Sequence, residues 1–188
     1  MVAPSQRTQP LPYAVVSGIR AAILIITGLV ITFTPAHSAQ FGLVALGIMA
    51  LVMAAALSLV SLGLSNTNTA RGLHLWQALV SVVVGALALA LQGAGMILLL
   101  WALVFWALLV GVAEIFFGFR LARGDAVRRD WMTQGMMTVA LALVVLFQPA
   151  DSVAVVGFLG AWAIVQGVYM AIASVALRFP PSKDTAHA

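Results

Sequence analysis

Residues 95–119 read GMILLLWALVFWALLVGVAEIFFGF, and this stretch decides the fold. Its 25 residues include one charged side chain, Glu114. The hydrocarbon core of a bilayer is about 30 Å thick, and a helix of about 20 apolar residues crosses it. Backbone amides in lipid must be satisfied within the chain, which favours a helix over other structures. The stretch therefore predicts a transmembrane α-helix.

Five further stretches have a similar length and apolarity. Together with the first they predict an all-α, polytopic membrane protein with six transmembrane helices. The chain is 63% hydrophobic and 7% charged, whereas soluble domains carry about 25% charged residues, so the composition excludes a soluble enzyme. The five stretches are Tyr13–Phe33, Phe41–Leu64, Leu73–Leu91, Trp131–Phe147 and Val153–Leu177.

The connections between these stretches are short, which makes consecutive helices antiparallel neighbours and leaves no room for a separate soluble domain. We divide the chain into a polar tail at residues 1–12, a six-helix transmembrane domain at residues 13–177 and a second polar tail at residues 178–188. No small-residue cleavage site follows the first apolar stretch, so we expect it to remain as a transmembrane helix.

The positions of the lysines and arginines predict the orientation, because cytoplasmic loops of membrane proteins are enriched in them. If the helices alternate in direction, all nine belong to one side: the N-terminal tail, the second and fourth loops and the C-terminal tail. We therefore expect both termini in the cytoplasm and the protein in the bacterial inner (plasma) membrane. The nine residues are Arg7, Arg20, Arg71, Arg120, Arg123, Arg128, Arg129, Arg178 and Lys183.

The composition also excludes several kinds of site. The chain has no cysteine, which excludes disulfides, thiolate metal sites and a cysteine nucleophile. His37, His74 and His187 are too scattered for a shared metal site, and no phosphate-binding loop, dinucleotide fingerprint or nucleophile elbow is present. The net charge of +4 indicates contact with anionic lipid head groups. We expect no enzymatic activity, no cofactor, no metal and no nucleic-acid partner.

The sequence repeats itself with a period of about 55 to 57 residues. Residues 28–38, GLVITFTPAHS, align with residues 142–152, ALVVLFQPADS, and residues 106–112, WALLVGV, align with residues 162–168, WAIVQGV. One period holds two helices, so the repeats share one orientation and are related by an axis along the membrane normal. The predicted repeats lie at about residues 13–64, 73–119 and 131–177.

The two-helix repeats, the Pro-Ala-x-Ser link and the Trp-Ala-x-x-x-Gly-Val helix resemble the HdeD family of bacterial membrane proteins. The resemblance extends from about Arg20 to Arg178. It implies a six-helix membrane protein associated with acid resistance, and it implies no catalytic residues. The middle repeat departs from the pattern, since Gln92-Gly93 stands where the other two have proline.

Glu114 is the candidate for chemistry, because it is the one acidic residue well inside an apolar run. It lies about 10 Å from the middle of its helix toward the cytoplasmic side. An ionisable group in lipid is costly and indicates a functional site by default. Two interpretations stay open: a proton-linked role, or an internal ion pair with Arg20, Arg120 or Arg123.

Small residues one helical turn apart predict close helix packing, which lipid-embedded helices use for association. Ser38 and Asp151 are suited to cap the helices that follow them. The small residues in question are Ala107, Gly111, Ala163, Gly167 and Ala171.

Tryptophans fall into two groups. Trp76 and Trp131 near helix ends are typical of interface anchors, whereas Trp106 and Trp162 lie deeper and are expected inside the bundle. Three glutamines, Gln77, Gln134 and Gln166, can form hydrogen bonds between helices.

The segment Arg120–Asp130 is interpreted as a cytoplasmic loop that contacts anionic lipid, with docking of a soluble partner as the alternative. Its arginines are Arg120, Arg123, Arg128 and Arg129. Three functions are compatible with the sequence. The first is a non-enzymatic HdeD-like protein of acid or stress resistance, acting as a homo-oligomer or with envelope partners. The second is a small transporter or channel with Glu114 in a polar path, and the third is an enzyme acting on lipid.

Overall fold

The fold is a bundle of long α-helices, described here from a computed structural model over residues 10–63, 68–149 and 151–178. Six helices are present within these residues, and each contains a segment long and apolar enough to cross a membrane. This confirms the prediction of an all-α, polytopic membrane protein. The helices are α1 (Pro10–Phe33), α2 (Ala39–Gly63), α3 (Asn68–Ala90), α4 (Met96–Phe119), α5 (Ala126–Phe147) and α6 (Ser152–Arg178).

The start of α5 differs most from the prediction. The helix begins at Ala126, not at Trp131, so the predicted loop Arg120–Asp130 is wrong beyond Asp125. The Asp125 side chain accepts a hydrogen bond of 3.0 Å from the Val127 amide and caps the helix. A cap of this kind satisfies a free amide at the helix start, which allows polar residues to occupy the first turns.

Three other helix ends also extend past the predicted bounds. α1 begins at Pro10 and α6 ends at Arg178, so both enter the segments predicted as tails, and α3 begins at Asn68. The rest of the predicted tails, with Arg7 and Lys183, lies outside the described residues.

The predicted helix caps are confirmed. Ser38 Oγ accepts a hydrogen bond of 3.1 Å from the Phe41 amide near the start of α2. Asp151 accepts hydrogen bonds from the amides of Val153 and Ala154, at 3.2 and 3.3 Å, at the start of α6. Each cap starts a new helix directly after a short connection, so the chain turns back into the bilayer within a few residues.

The helices close into a ring. Each helix contacts the next along the chain, α1 contacts α6, and α2 also contacts α4 and α6. The most extensive interfaces are α1 with α6, α2 with α3 and α4 with α5. The two helices of each predicted repeat share smaller interfaces, so the repeats are not separate packing units. The three-repeat organisation itself stays a prediction.

Glycines meet at each of the three extensive interfaces. A Cβ atom added to Gly135 would lie 2.6 Å from the Gly111 carbonyl oxygen, and one added to Gly85 would lie 3.0 Å from that of Gly47. The first distance is too short for a side chain, and the second would require the facing backbone to shift. Glycine is therefore what lets the backbones approach so closely in lipid. The facing pairs are Gly28 with Gly160, Gly47 with Gly85, and Gly111 with Gly135.

The outer surface of the bundle is apolar. Phe33 and Phe147 are 81% and 83% exposed, and Leu62 is 76% exposed. Soluble monomers rarely expose large contiguous apolar patches, whereas a lipid-facing surface has no need of polar groups. The apolar exterior therefore fits hydrocarbon as the surrounding medium.

Candidate functional site

A buried ion pair joins α1 to α4 near the centre of the ring. Arg20 Nη2 lies 2.6 Å from Glu114 Oε1. Arg20 is 7% exposed and Glu114 is fully buried. Of the partners that the sequence left open for Glu114, the structure brings Arg20 to it.

Two glutamines extend this pair into a network. Gln77 Nε2 of α3 donates a hydrogen bond of 2.8 Å to Glu114 Oε1, the same oxygen that accepts from Arg20. Arg20 Nη1 donates to Gln134 Oε1 of α5 at 3.4 Å, and Gln134 Nε2 donates to the Tyr13 hydroxyl at 3.4 Å. All five side chains are buried. Four helices therefore contribute to one polar cluster.

The cluster lies at one level of the membrane. Arg20, Gln77 and Gln134 occur seven to eight residues after the start of their candidate spans, and Glu114 occurs five residues before the end of its span. At 1.5 Å per residue, all four lie about 8 to 12 Å inside the span ends. A charge at that depth is costly unless it is paired. The ion pair with Arg20 and the hydrogen bond from the Gln77 amide meet this requirement at Glu114 Oε1, whereas Glu114 Oε2 is buried without a hydrogen-bond partner.

The repeat period of the sequence contains a signal for the two glutamines of the cluster. Arg20, Gln77 and Gln134 are spaced by 57 residues, which falls within the predicted repeat period. Residues at equal places in three similar helices are expected at the same depth, so the period could have grouped these three side chains. Glu114 is outside this series and could not have been placed in the same way.

A small cavity lies beside the cluster, toward the middle of the bundle. Its volume is about 20 Å³, and it extends to Trp162 and Gln166 of α6. Within the described part of the chain, Arg20 Nε, Gln77 Oε1, Trp162 Nε1 and Gln166 Oε1 are buried without a hydrogen-bond partner. A cavity above about 10–15 Å³ with two to four polar partners can hold a water molecule. The arrangement thus has room for one ordered water that would continue the network to α6.

Apolar side chains form part of the cavity wall. Leu24, Met53, Leu57 and Val110 line it together with the polar side chains. The cluster therefore holds its charge pair in a largely apolar setting.

Two deep tryptophans pack in the bundle as predicted. The rings of Trp106 and Trp162 meet edge to face with centroids 5.5 Å apart. Trp106 is buried and donates a hydrogen bond of 3.1 Å to Ser81 Oγ.

The two tryptophans near helix ends differ from each other. Trp76 is 41% exposed, and its indole donates to the Leu109 carbonyl at 3.2 Å. Trp131 is 1% exposed and packs edge to face against His74, so the prediction of an interface anchor is wrong for it. Its helix starts five residues earlier than predicted, which places Trp131 in the second turn and on the inner face.

The small residues predicted for helix packing lie on inner faces. Gly111 of α4 faces the Gly135 carbonyl of α5, and Gly167 of α6 faces the Ala21 carbonyl of α1, where an added Cβ would come within 2.9 and 3.1 Å. Ala107 and Ala163 are fully buried, and Ala171 is half-buried against the core.

The arginines of the predicted lipid contact separate into two groups. The Arg120 guanidinium stacks 4.5 Å above the Phe116 ring. Arg123, Arg128 and Arg129 line an open groove beside α5. Arg128 and Arg129 belong to the first turn of α5, not to a loop.

His37 has a structural contact, since its Nε2 lies 2.9 Å from the Ile31 carbonyl oxygen. Among the described residues, no group of three or more histidine, aspartate or glutamate side chains is placed to hold a metal ion.

Six apolar spans with a buried polar cluster define a multi-pass membrane protein. Comparison of the chain with protein-family models, with curated proteins and with solved structures gives no match.

Proposed function

We propose that this chain is an HdeD-like, non-enzymatic protein of the bacterial inner membrane that contributes to tolerance of acid or related stress. The observation that carries the proposal is the buried pair of Arg20 and Glu114, 2.6 Å apart between α1 and α4. Removal of either charge would leave its buried partner uncompensated, which is strongly unfavourable. The pair therefore holds α1 to α4 as long as both charges are present.

The resemblance to the HdeD family supports this proposal from the sequence side. The packing of the bundle supports it too, because a stress protein acting by packing needs interfaces of small residues and no open path. The glycine pairs provide such interfaces. The cavity beside the cluster has a volume of about 20 Å³, which is too small for an open path. In this proposal the protein acts as a homo-oligomer or with an envelope partner.

The proposed orientation has both termini in the cytoplasm. Arg71, Arg120, Arg123, Arg128 and Arg129 all occur where α3 and α5 begin or α4 ends. Antiparallel neighbours bring these helix ends to one side, and an excess of arginine favours the cytoplasmic side. The ion pair then lies in the cytoplasmic half of the membrane.

A proton- or ion-linked transporter is the second candidate. It is favoured by the polar side chains of α1, α3, α4 and α5 that converge on one cavity. Such a transporter would have to open the apolar part of the cavity wall, which is formed by Leu24, Met53, Leu57 and Val110. Glu114-dependent proton uptake by vesicles containing the purified protein would favour this candidate over the first.

The proposal is tested by survival of acid challenge. In a strain that lacks the chromosomal gene, the wild-type chain is expected to restore survival at low pH. Glu114→Gln keeps the size of the side chain and one acceptor oxygen but removes the negative charge that pairs with Arg20, so survival is expected to fall toward that of the deletion strain. Membrane levels of each protein are measured in the same cells.

Asp151→Asn is the matched control, because it makes the same acid-to-amide change at an exposed helix cap. It is expected to restore survival as the wild type does. Full survival with Glu114→Gln at normal membrane levels would contradict the role of the ion pair.

A further inference from the structure

A groove runs along the start of α5, outside the polar cluster. Its volume is about 570 Å³. The loop before α5 forms its upper part and one face of the helix forms its lower part. The residues that the argument uses are Arg123, Arg128, Arg129, Met132 and Met136.

The upper part of the groove is positively charged. Arg123, Arg128 and Arg129 line it with one carboxylate, Asp125. That carboxylate is engaged by the Val127 amide at 3.0 Å. The nearby Asp130 is outside the lining and accepts a hydrogen bond of 3.1 Å from the Tyr169 hydroxyl. Arginine binds phosphate oxygens through paired hydrogen bonds, so the charge favours a ligand with a phosphate-bearing head.

The lower part of the groove is apolar and lies within the membrane span. The span of α5 begins at Val127, and Met136, nine residues further, lies about 14 Å deeper. Met136 is 55% exposed, and Met132 shares the groove with it. The acyl chain of a lipid would lie along Met132 and Met136, while the head group of the lipid stays at the level of Arg129.

We propose that this groove binds an anionic phospholipid, with the phosphate between the arginine side chains and one acyl chain along Met132 and Met136. Basic pockets at the cytoplasmic side of membrane helices are suited to such head groups. Arg120 is outside the site, because it does not line the groove and its guanidinium stacks 4.5 Å above Phe116. Arg128 lines the groove with its guanidinium 5.8 Å from the centre of the Phe119 ring. The proposal is independent of the role of Glu114.

The test is a lipid titration of the full-length protein in an uncharged detergent, with bound lipid counted by native mass spectrometry. Phosphatidylglycerol is expected to bind more tightly than phosphatidylcholine. The pair Arg123→Gln and Arg129→Gln removes two groove charges and is expected to weaken phosphatidylglycerol binding about 30-fold, since each basic residue near a lipid surface contributes about 1 kcal/mol.

The matched control is the pair Arg71→Gln and Arg120→Gln, which removes equal charge at the same end of the bundle but outside the groove. It is expected to keep wild-type affinity. Equal loss in both pairs, or loss in neither, would overturn the proposal. Glycerol phosphate, which has no acyl chain, is expected to bind far more weakly than the lipid, and equal binding would also overturn it. Unchanged unfolding temperatures in phosphatidylcholine would show that all variants fold.

Discussion

Replacement of Glu114 by leucine is expected to lower the free energy of unfolding by about 3–5 kcal/mol. The Arg20 guanidinium would then be buried without an anion, and Gln77 Nε2 would lose its acceptor. The change is measured by reversible unfolding of the purified protein in mixed micelles. A buried ion pair is weak evidence for net stability, but loss of one partner is strongly destabilising.

The double replacement Arg20→Met with Glu114→Leu provides the control. Both charges are removed, so most of the lost stability is expected to return, because buried pairs are often replaced by apolar side chains at little cost. A double variant that loses the sum of the two single effects would contradict the pairing.

Gly135→Ala is expected to destabilise the bundle by about 1–3 kcal/mol through overpacking. The new methyl group would lie 2.6 Å from the Gly111 carbonyl oxygen and 2.7 Å from Ile115 Cγ1. The first of these is backbone and cannot turn aside, so α4 and α5 must separate. The effect is measured by the same unfolding experiment.

Gly157→Ala is the matched control in α6, because no atom lies within 4 Å of its added Cβ. It is expected to be neutral or to stabilise the helix by up to about 1 kcal/mol, since alanine favours helix over glycine. If the Gly135→Ala protein is as stable as the Gly157→Ala protein, the α4–α5 interface has room for a methyl group, which would contradict the close approach of the two backbones.

The six spans could be predicted because length and apolarity alone define a transmembrane helix. The start of α5 could not, because Arg128, Arg129 and Asp130 interrupt the apolar run. Because Asp125 caps the helix, α5 begins before these polar residues and includes them in its first turns. The burial of Trp131 follows from this same shift in the helix start.

The sequence could not predict which face of each helix points into the bundle. A soluble helix has a polar face that identifies its inner side, but these helices are apolar toward lipid and toward the core alike. The exposed Phe33 and the buried Leu24 of α1 illustrate this. Three arginines were therefore possible partners for Glu114, and only the folded bundle, which brings the Arg20 side chain of α1 to Glu114 of α4, selects Arg20.

The proposals about acid response and lipid binding depend on a membrane-spanning bundle whose arginine-bearing end is cytoplasmic. Cysteine labelling tests this most directly, because the native chain has no cysteine. Ala36 and Ala122 are exposed in links at opposite ends of the bundle. With a membrane-impermeant thiol reagent, Ala36→Cys is expected to be labelled in cells whose inner membrane is intact. Ala122→Cys is expected to be labelled only after that membrane is made permeable. Labelling of Ala122→Cys with the inner membrane intact, or recovery of the protein in the detergent-free soluble fraction, would contradict the proposed arrangement.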